Sequence, residues 1–132
     1  MAIRVLLTDD EEEVRHLVHA ALGFDDRFEV VGEATSGAEA VELVREHRPD
    51  VVLLDLRMPA MNGLEAAAIF HRESPSTRVV VYSAYLTDEA KETARSMGAA
   101  ACLEKMTPIR DVVEALAEAA RSSATGTSPP ST

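Results

Sequence analysis

Five short apolar runs rich in β-branched residues recur along the chain: Ile3–Leu7, Phe28–Val31, Val51–Leu54, Val79–Tyr82 and Ala100–Leu103. Between them the apolar positions take up a helical period. Val14, Leu17, Val18, Ala21 and Leu22 fall at i, i+3, i+4, i+7 and i+8, the spacing of a core-facing stripe, and Gly23 predicts its end. Ser36 with Glu39 three residues later reads as a capping box, opening a helix with Ala40, Val41 and Val44 inside. Asn62 and Glu65 form a weaker version of that start, with Leu64, Ala67, Ala68 and Phe70 inward. Thr87 opens a fourth helix with Ala90, Ala94 and Met97 inside, ended by Gly98. Thr107-Pro108 predicts an N-cap followed by proline at the first helical position. Ile109, Val112, Val113, Leu116 and Ala120 then point inward.

The order is strand then helix, five times. Strands that are apolar throughout, rather than alternating, predict a parallel sheet covered on both faces. Right-handed crossovers make this an α/β doubly wound sandwich, (βα)5, and five strands favour the flavodoxin-like order 2-1-3-4-5. The chain has 132 residues, about one domain. From Ser122 it reads SSATGTSPPST, without a large apolar residue. The reading is therefore one domain over 1–121 and a tail or start of a linker over 122–132.

Composition narrows the partners. Apolar residues make up 46%, enough for a core, and 13 Lys+Arg against 23 Asp+Glu leave a net charge of −10. Such a segment does not grip a phosphate backbone by itself, which needs clustered Lys and Arg; it suits a metal ion or a basic surface. One cysteine excludes a disulfide framework and a Cys-based zinc site. No apolar run approaches ~18 residues, so no transmembrane helix is expected, and the N-terminus turns acidic too soon for a signal peptide. The expected address is cytoplasmic, with no membrane partner.

Ligands in open α/β sheets bind beyond the carboxyl ends of the strands. The first strand ends in Asp9-Asp10, the third in Asp55, the fourth in Ser83 and the fifth in Lys105. Each alone is ordinary, since an aspartate after a strand commonly caps a turn or helix. Their joint occurrence at four strand ends carries the functional reading. Like charges ~4 Å apart repel by ~4 kcal/mol at an effective dielectric of ~20, so either some of the three acids are protonated or a cation sits among them. An oxygen-only donor set with open positions favours Mg²⁺.

At these residues the chain resembles the receiver domain of two-component response regulators. The matching stretches are LLTDDE (Asp9, Asp10), LLDLRMPAMNG (Asp55, Met58, Pro59, Gly63), VVVYSA (Ser83) and CLEK (Lys105), and the likeness covers about residues 1–121. VVGEATSGAEAVELVREHRPDVVLLDLRMPAMNGLEAA further resembles the NarL/FixJ (LuxR-type) subfamily, whose receivers usually precede a helix-turn-helix DNA-binding domain. The resemblance implies that Asp55 accepts a phosphoryl group from the phosphohistidine of a sensor histidine kinase. It implies that Asp10, Asp55 and the Arg57 backbone carbonyl ligate Mg²⁺ (or Mn²⁺), with Asp9 assisting through water. It also implies that Lys105 pairs with the phosphoryl oxygens and that Ser83 is the switch hydroxyl. Arg57, Met58 and Tyr85 would flank the pocket. Receivers of this subfamily often form phosphorylation-dependent homodimers through the first and last helices or the helix 4–strand 5–helix 5 face. Ala115, Ala117 and Ala119 would allow close helix contact there. DNA would be reached only through a domain outside this segment.

Two positions depart from the family pattern. Cys102 stands at the switch position, three residues before Lys105, where many receivers carry Tyr or Phe. Met106 follows Lys105 where many carry proline, so no cis peptide is expected at that bond. Glu12, His16 and His19 have metal-like spacing but lie opposite the apolar stripe, as a solvated face. The Glu11-Glu12-Glu13 run suits a helix N-terminus and can select a kinase partner. Other readings are a stand-alone receiver in a phosphorelay, a pseudo-receiver, and an aspartyl-phosphate hydrolase of the haloacid-dehalogenase type. The last needs a second aspartate two residues after the nucleophile, where this chain has Arg57. The expected protein is a phosphoacceptor rather than a turnover enzyme.

Overall fold

The computed structural model describes residues 2–58, 61–84 and 86–124. The expectations placed on Pro59, Tyr85 and residues 125–132 lie outside them. Strands β1 (Ile3–Thr8), β2 (Phe28–Ala34), β3 (Val51–Leu54), β4 (Arg78–Ser83) and β5 (Ala99–Glu104) alternate with helices α1 (Glu12–Gly23), α2 (Gly37–His47), α3 (Gly63–Glu73), α4 (Asp88–Ser96) and α5 (Ile109–Ala124). All strand pairs are parallel, in the order β2-β1-β3-β4-β5. This is the doubly wound, flavodoxin-like arrangement predicted from the alternation.

The sheet has a core on each face. Leu6, Val52, Leu54 and Val81 pack with α2, α3 and α4, around the fully buried Phe70. Val5, Leu7, Leu53, Val80 and Tyr82 pack with α1 and α5 through Val18, Leu22, Val112 and Leu116. Every residue of β3 is buried, whereas the edge strands β2 and β5 are largely half-exposed.

Several boundaries differ from the sequence reading. β1, β2, β4 and β5 extend at their carboxyl ends through Thr8, Ala34, Ser83 and Glu104, because ladder hydrogen bonds use backbone groups and are indifferent to a polar side chain. α5 starts one residue later than predicted: its first helical bond runs from Val112 N–H to the Pro108 carbonyl, so Pro108 stands at the cap rather than inside. It continues through Ala124, into the segment read as tail. The Asn62–Glu65 start forms a complete capping box. At Ser36 only half forms, since the Glu39 carboxylate turns to the Thr35 backbone N–H and hydroxyl instead. Gly98, with φ 89°, ends α4 in the left-handed region as expected. α1 needs no such device, because Phe24 caps it at φ −91°.

The predicted α1 stripe needs one correction. Leu17 is 56% exposed. Val14, Val18 and Leu22 recur every fourth residue and take the sheet-facing side, leaving Leu17 on the flank. A second correction concerns α5. Ala117 and Ala119 are buried within the protomer, so the alanine stripe is not a free surface.

Candidate functional site

The ladder register sets four strand ends side by side. Thr8 pairs with Leu54, Leu54 with Val81, and Ser83 with Glu104. The next residues out are Asp9, Asp55 and Lys105, with Ser83 itself closing β4. Asp9 and Asp55 are each only 4% exposed. Asp55 lines an open cleft of about 720 Å³ whose walls include Asp10, Glu11, Arg57, Met58 and Lys105, and Asp9 lies behind it beside a small internal void.

Each oxygen of Asp55 has its own partner. Oδ1 accepts from the Ser83 hydroxyl at 2.7 Å and from the Arg57 backbone N–H at 3.0 Å. Oδ2 accepts a longer contact from Lys105 Nζ, at 3.4 Å. The same ammonium lies 2.8 Å from Asp9 Oδ2 and 3.0 Å from Glu11 Oε1. Backbone bonds fix its root: Lys105 N–H donates to the Ser83 carbonyl, and the Tyr82 hydroxyl donates to the Lys105 carbonyl. Asp9 is equally fixed. Its Oδ1 accepts from Glu11 N–H at 2.9 Å, and Arg15, held by Glu33, donates to its carbonyl.

Burial pushes the Asp9 carboxyl above its ordinary value. The Lys105 hydrogen bond and the Glu11 N–H oppose that push, and the Asp55 charge adds to it. For Lys105, burial alone would depress the ammonium, but Asp9, Glu11 and Asp55 outweigh it and hold the group well above the usual lysine value. The lysine is therefore a permanent cation. It faces three carboxylates whose oxygens lie within 4.8 Å of one another. An oxygen-only, electron-rich pocket open to a cleft suits a hard divalent cation.

A glycine lets the phosphoacceptor loop close. A Cβ on Gly63 would lie 2.5 Å from the Asp55 carbonyl oxygen and 2.6 Å from Leu56 Cα, and Gly63 N–H bonds to the Leu56 carbonyl. The first turn of α3 therefore lies directly on the backbone that presents Asp55.

A family model described as the response regulator receiver domain matches residues 5–117. The chain belongs to the response-regulator receiver family. Response regulator protein VraR of Staphylococcus saprophyticus is 35% identical over 116 residues, which are 88% of this receiver and 56% of that protein. VraR of Staphylococcus aureus is 33% identical over 121 residues, 92% of this chain and 58% of the relative. The receiver thus spans a little over half the length of these curated relatives. Among solved structures, the signal receiver domain of a NarL response regulator from Mycobacterium tuberculosis superposes with a TM-score of 0.86 at 40% identity, covering 91% of this chain and 97% of that one. The response regulator domain of Thermotoga maritima CheB gives 0.83 at 32% identity, covering 98% and 100%.

The structure brings Asp9, Asp55, Ser83 and Lys105 into one hydrogen-bonded group, with Arg57 joined through its backbone. Asp10 is exposed and lines the cleft beside the group. Cys102 pairs with Val81 two residues before Ser83, and packs half-buried on the core face covered by α2, α3 and α4. Burial raises its thiol above the ordinary value, against the pull of Arg95 and Lys91, so it serves the receiver as a small apolar side chain. Glu12, His16 and His19 stay on the outside of α1, His19 paired with Glu33. Among the described residues there is no cis peptide, and no helix is long and apolar enough to cross a membrane. Sequence reasoning missed Glu11 as a member of the cluster. Its signal was position: it is the N-cap residue of α1, where the chain turns from strand into helix above Lys105.

Proposed function

We propose that this receiver, read as residues 1–121, accepts a phosphoryl group on Asp55 from the phosphohistidine of a sensor histidine kinase. The observation that carries the reading is the convergence of the Ser83 hydroxyl and the Lys105 ammonium on the two oxygens of a buried carboxylate at a strand end. Oδ1 has two short hydrogen bonds, whereas among the described residues Oδ2 has the longer Lys105 contact, which leaves it the better placed nucleophile. The oxygen–phosphorus bond forms at Oδ2 as the nitrogen–phosphorus bond of the donor breaks, returning the histidine. Phosphoryl transfer is assisted mainly by alignment and charge neutralisation, and Lys105 supplies one fixed positive charge. Asp10, Asp55 and the Arg57 carbonyl would hold Mg²⁺ or Mn²⁺, with Asp9 acting through water. The ion supplies further neutralisation of the phosphoryl oxygens.

Ser83 then has a reason to move. Its hydroxyl donates to Asp55 Oδ1 and stands 3.4 Å from the Leu56 N–H. A phosphoryl oxygen is a stronger acceptor, and turning towards it releases the contacts that tie β4 to the β3 loop. With Cys102 in the switch position, this motion passes to α4 through backbone and small side chains rather than a swinging aromatic ring. The protein acts as a phosphoacceptor in the cytoplasm, where the kinase phosphohistidine is formed. The LuxR-type resemblance and the greater length of the relatives support a DNA-binding output through a domain outside this segment.

Incubation with Mg²⁺ and acetyl phosphate or beryllofluoride tests the reading. Stable modification that disappears in Asp55→Ala supports it, and steady multiple-turnover release of phosphate contradicts it in favour of a hydrolase.

Dimerisation on phosphorylation is part of the same proposal, with a surface different from the alanine stripe. Leu17 on α1 is 56% exposed, and Phe24, which caps that helix, is 92% exposed. The beryllofluoride-loaded protein is expected to sediment as a dimer, and Leu17→Glu combined with Phe24→Glu to return it to a monomer. A loaded wild type that remains monomeric, or a variant that dimerises equally well, would sink this part.

A further inference from the structure

We propose that Glu11 is a positioning residue that competes with the phosphoryl group for Lys105. In doing so it tunes the site towards the cation and against the anion. The inference rests on the reading of Asp55 as phosphoacceptor.

An ammonium group has three N–H donors. Lys105 faces three carboxylates, at 2.8 Å from Asp9, 3.0 Å from Glu11 and 3.4 Å from Asp55. Its three donors are taken. Bonding to phosphorus consumes Asp55 Oδ2, so the phosphoryl oxygens take over that donor and gain a second only from Asp9 or Glu11. The Asp9 and Asp55 side chains are 6% and 5% exposed, whereas that of Glu11 is 63% exposed. Of Asp9 and Glu11, releasing Asp9 would leave a buried charge without its counter-ion, while water re-solvates Glu11 at once. Glu11 is therefore the partner that yields. Its backbone stays anchored, because its N–H donates to Asp9 Oδ1, so a side-chain rotation suffices.

Until it leaves, Glu11 acts with opposite signs on the two things the site must bind. Its carboxylate oxygen is within 4.8 Å of those of Asp9 and Asp55, which strengthens the pull on a divalent cation. The same charge repels a phosphoryl group and occupies the lysine meant for it. Its neighbours in the acidic run differ: Glu12 faces His16 along the exposed side of α1, and Glu13 is exposed on the same helix.

The test uses the whole chain and two probes, Mg²⁺ alone by isothermal titration calorimetry and beryllofluoride at saturating Mg²⁺ by fluorine NMR. In Glu11→Gln, Mg²⁺ affinity should fall about five-fold and beryllofluoride affinity should rise about five-fold, the scale of one unit charge at ~4 Å in a solvated setting. Glu13→Gln should leave both unchanged. A purely structural role would move both affinities of Glu11→Gln in the same direction, and that result, or no change in either, overturns the proposal. Failure of the unsubstituted protein to bind beryllofluoride would instead overturn the assignment of Asp55 on which the proposal rests.

Discussion

Lys105→Met is expected to destabilise the receiver by about 3 kcal/mol at neutral pH, the scale for removing one partner of a buried ion pair. Methionine keeps most of the apolar stem, so the loss reports the charge rather than the packing. Without the ammonium, Asp9 and Asp55 face each other in a site where each is 4% exposed. The direction with pH follows from Asp9. Its carboxyl is already raised above 3.8 by burial, and Lys105 supplies the largest opposing influence. In the variant the folded value rises further. A carboxyl raised in the folded state keeps a proton that the unfolded chain gives up, so the penalty grows as pH climbs through the range above 3.8 and then levels off. Below the ordinary value both states are protonated and the penalty vanishes. Chemical denaturation of wild type and variant across that range should show the two curves converging at acid pH. Millimolar Mg²⁺ should recover part of the loss at neutral pH. Beryllofluoride affinity should fall by at least about ten-fold, the loss of one charge-assisted hydrogen bond. A stability deficit independent of pH would contradict this account of the lysine.

Gly63→Ala is expected to act on stability and on the site together. The added methyl would stand 2.5 Å from the Asp55 carbonyl oxygen and 2.6 Å from Leu56 Cα. Both are backbone atoms at the end of β3, so no side chain can swing aside. Either α3 shifts off the sheet or the loop that carries Asp55 moves. A cost of about 3 kcal/mol is the upper part of the usual range for overpacking. Displacing Asp55 by a fraction of an ångström loosens the Ser83 and Arg57 hydrogen bonds on Oδ1, and the rate of modification by acetyl phosphate should drop at least ten-fold, on the order seen for misaligned reacting groups. Gly23→Ala is the matched control: its added methyl meets nothing within 4 Å, and the helix end there should be neutral to slightly stabilised. Equal stability and equal modification rates in Gly63→Ala and wild type would contradict the role given to this contact.

The sequence was most informative where local chemistry and tertiary structure agree. The apolar runs could only be strands covered on both faces, so alternation with helices led directly to the layer order. Residues following those runs had to stand at one edge of a parallel sheet, which is why the pattern alone groups Asp9, Asp10, Asp55, Ser83 and Lys105. What escaped were features decided by geometry within one turn of chain. Leu17 fits the helical stripe by spacing, yet a stripe has an edge, and the side on which α1 meets β2 and α5 sets where that edge falls. The alanines of α5 looked available because small residues permit close approach; two of them are already buried within the protomer. Asp9 and Asp10 are adjacent and chemically identical. Only the turn after Thr8 decides that Asp9 goes inside to Lys105 and Asp10 lines the cleft. Glu11 was hidden in a run of three glutamates, and its meeting with Lys105 spans 94 residues of sequence.

The most direct test of the central claim is chemical. Wild-type protein is incubated with acetyl phosphate and Mg²⁺, trapped with borohydride, which reduces an acyl phosphate to the alcohol, and mapped by peptide mass spectrometry. Conversion of residue 55 to homoserine, absent when acetyl phosphate is omitted, is the predicted result. Reduction at Asp9, Asp10 or another carboxylate with Asp55 intact, or no reduced residue at all, would contradict the assignment of Asp55 as the phosphoacceptor.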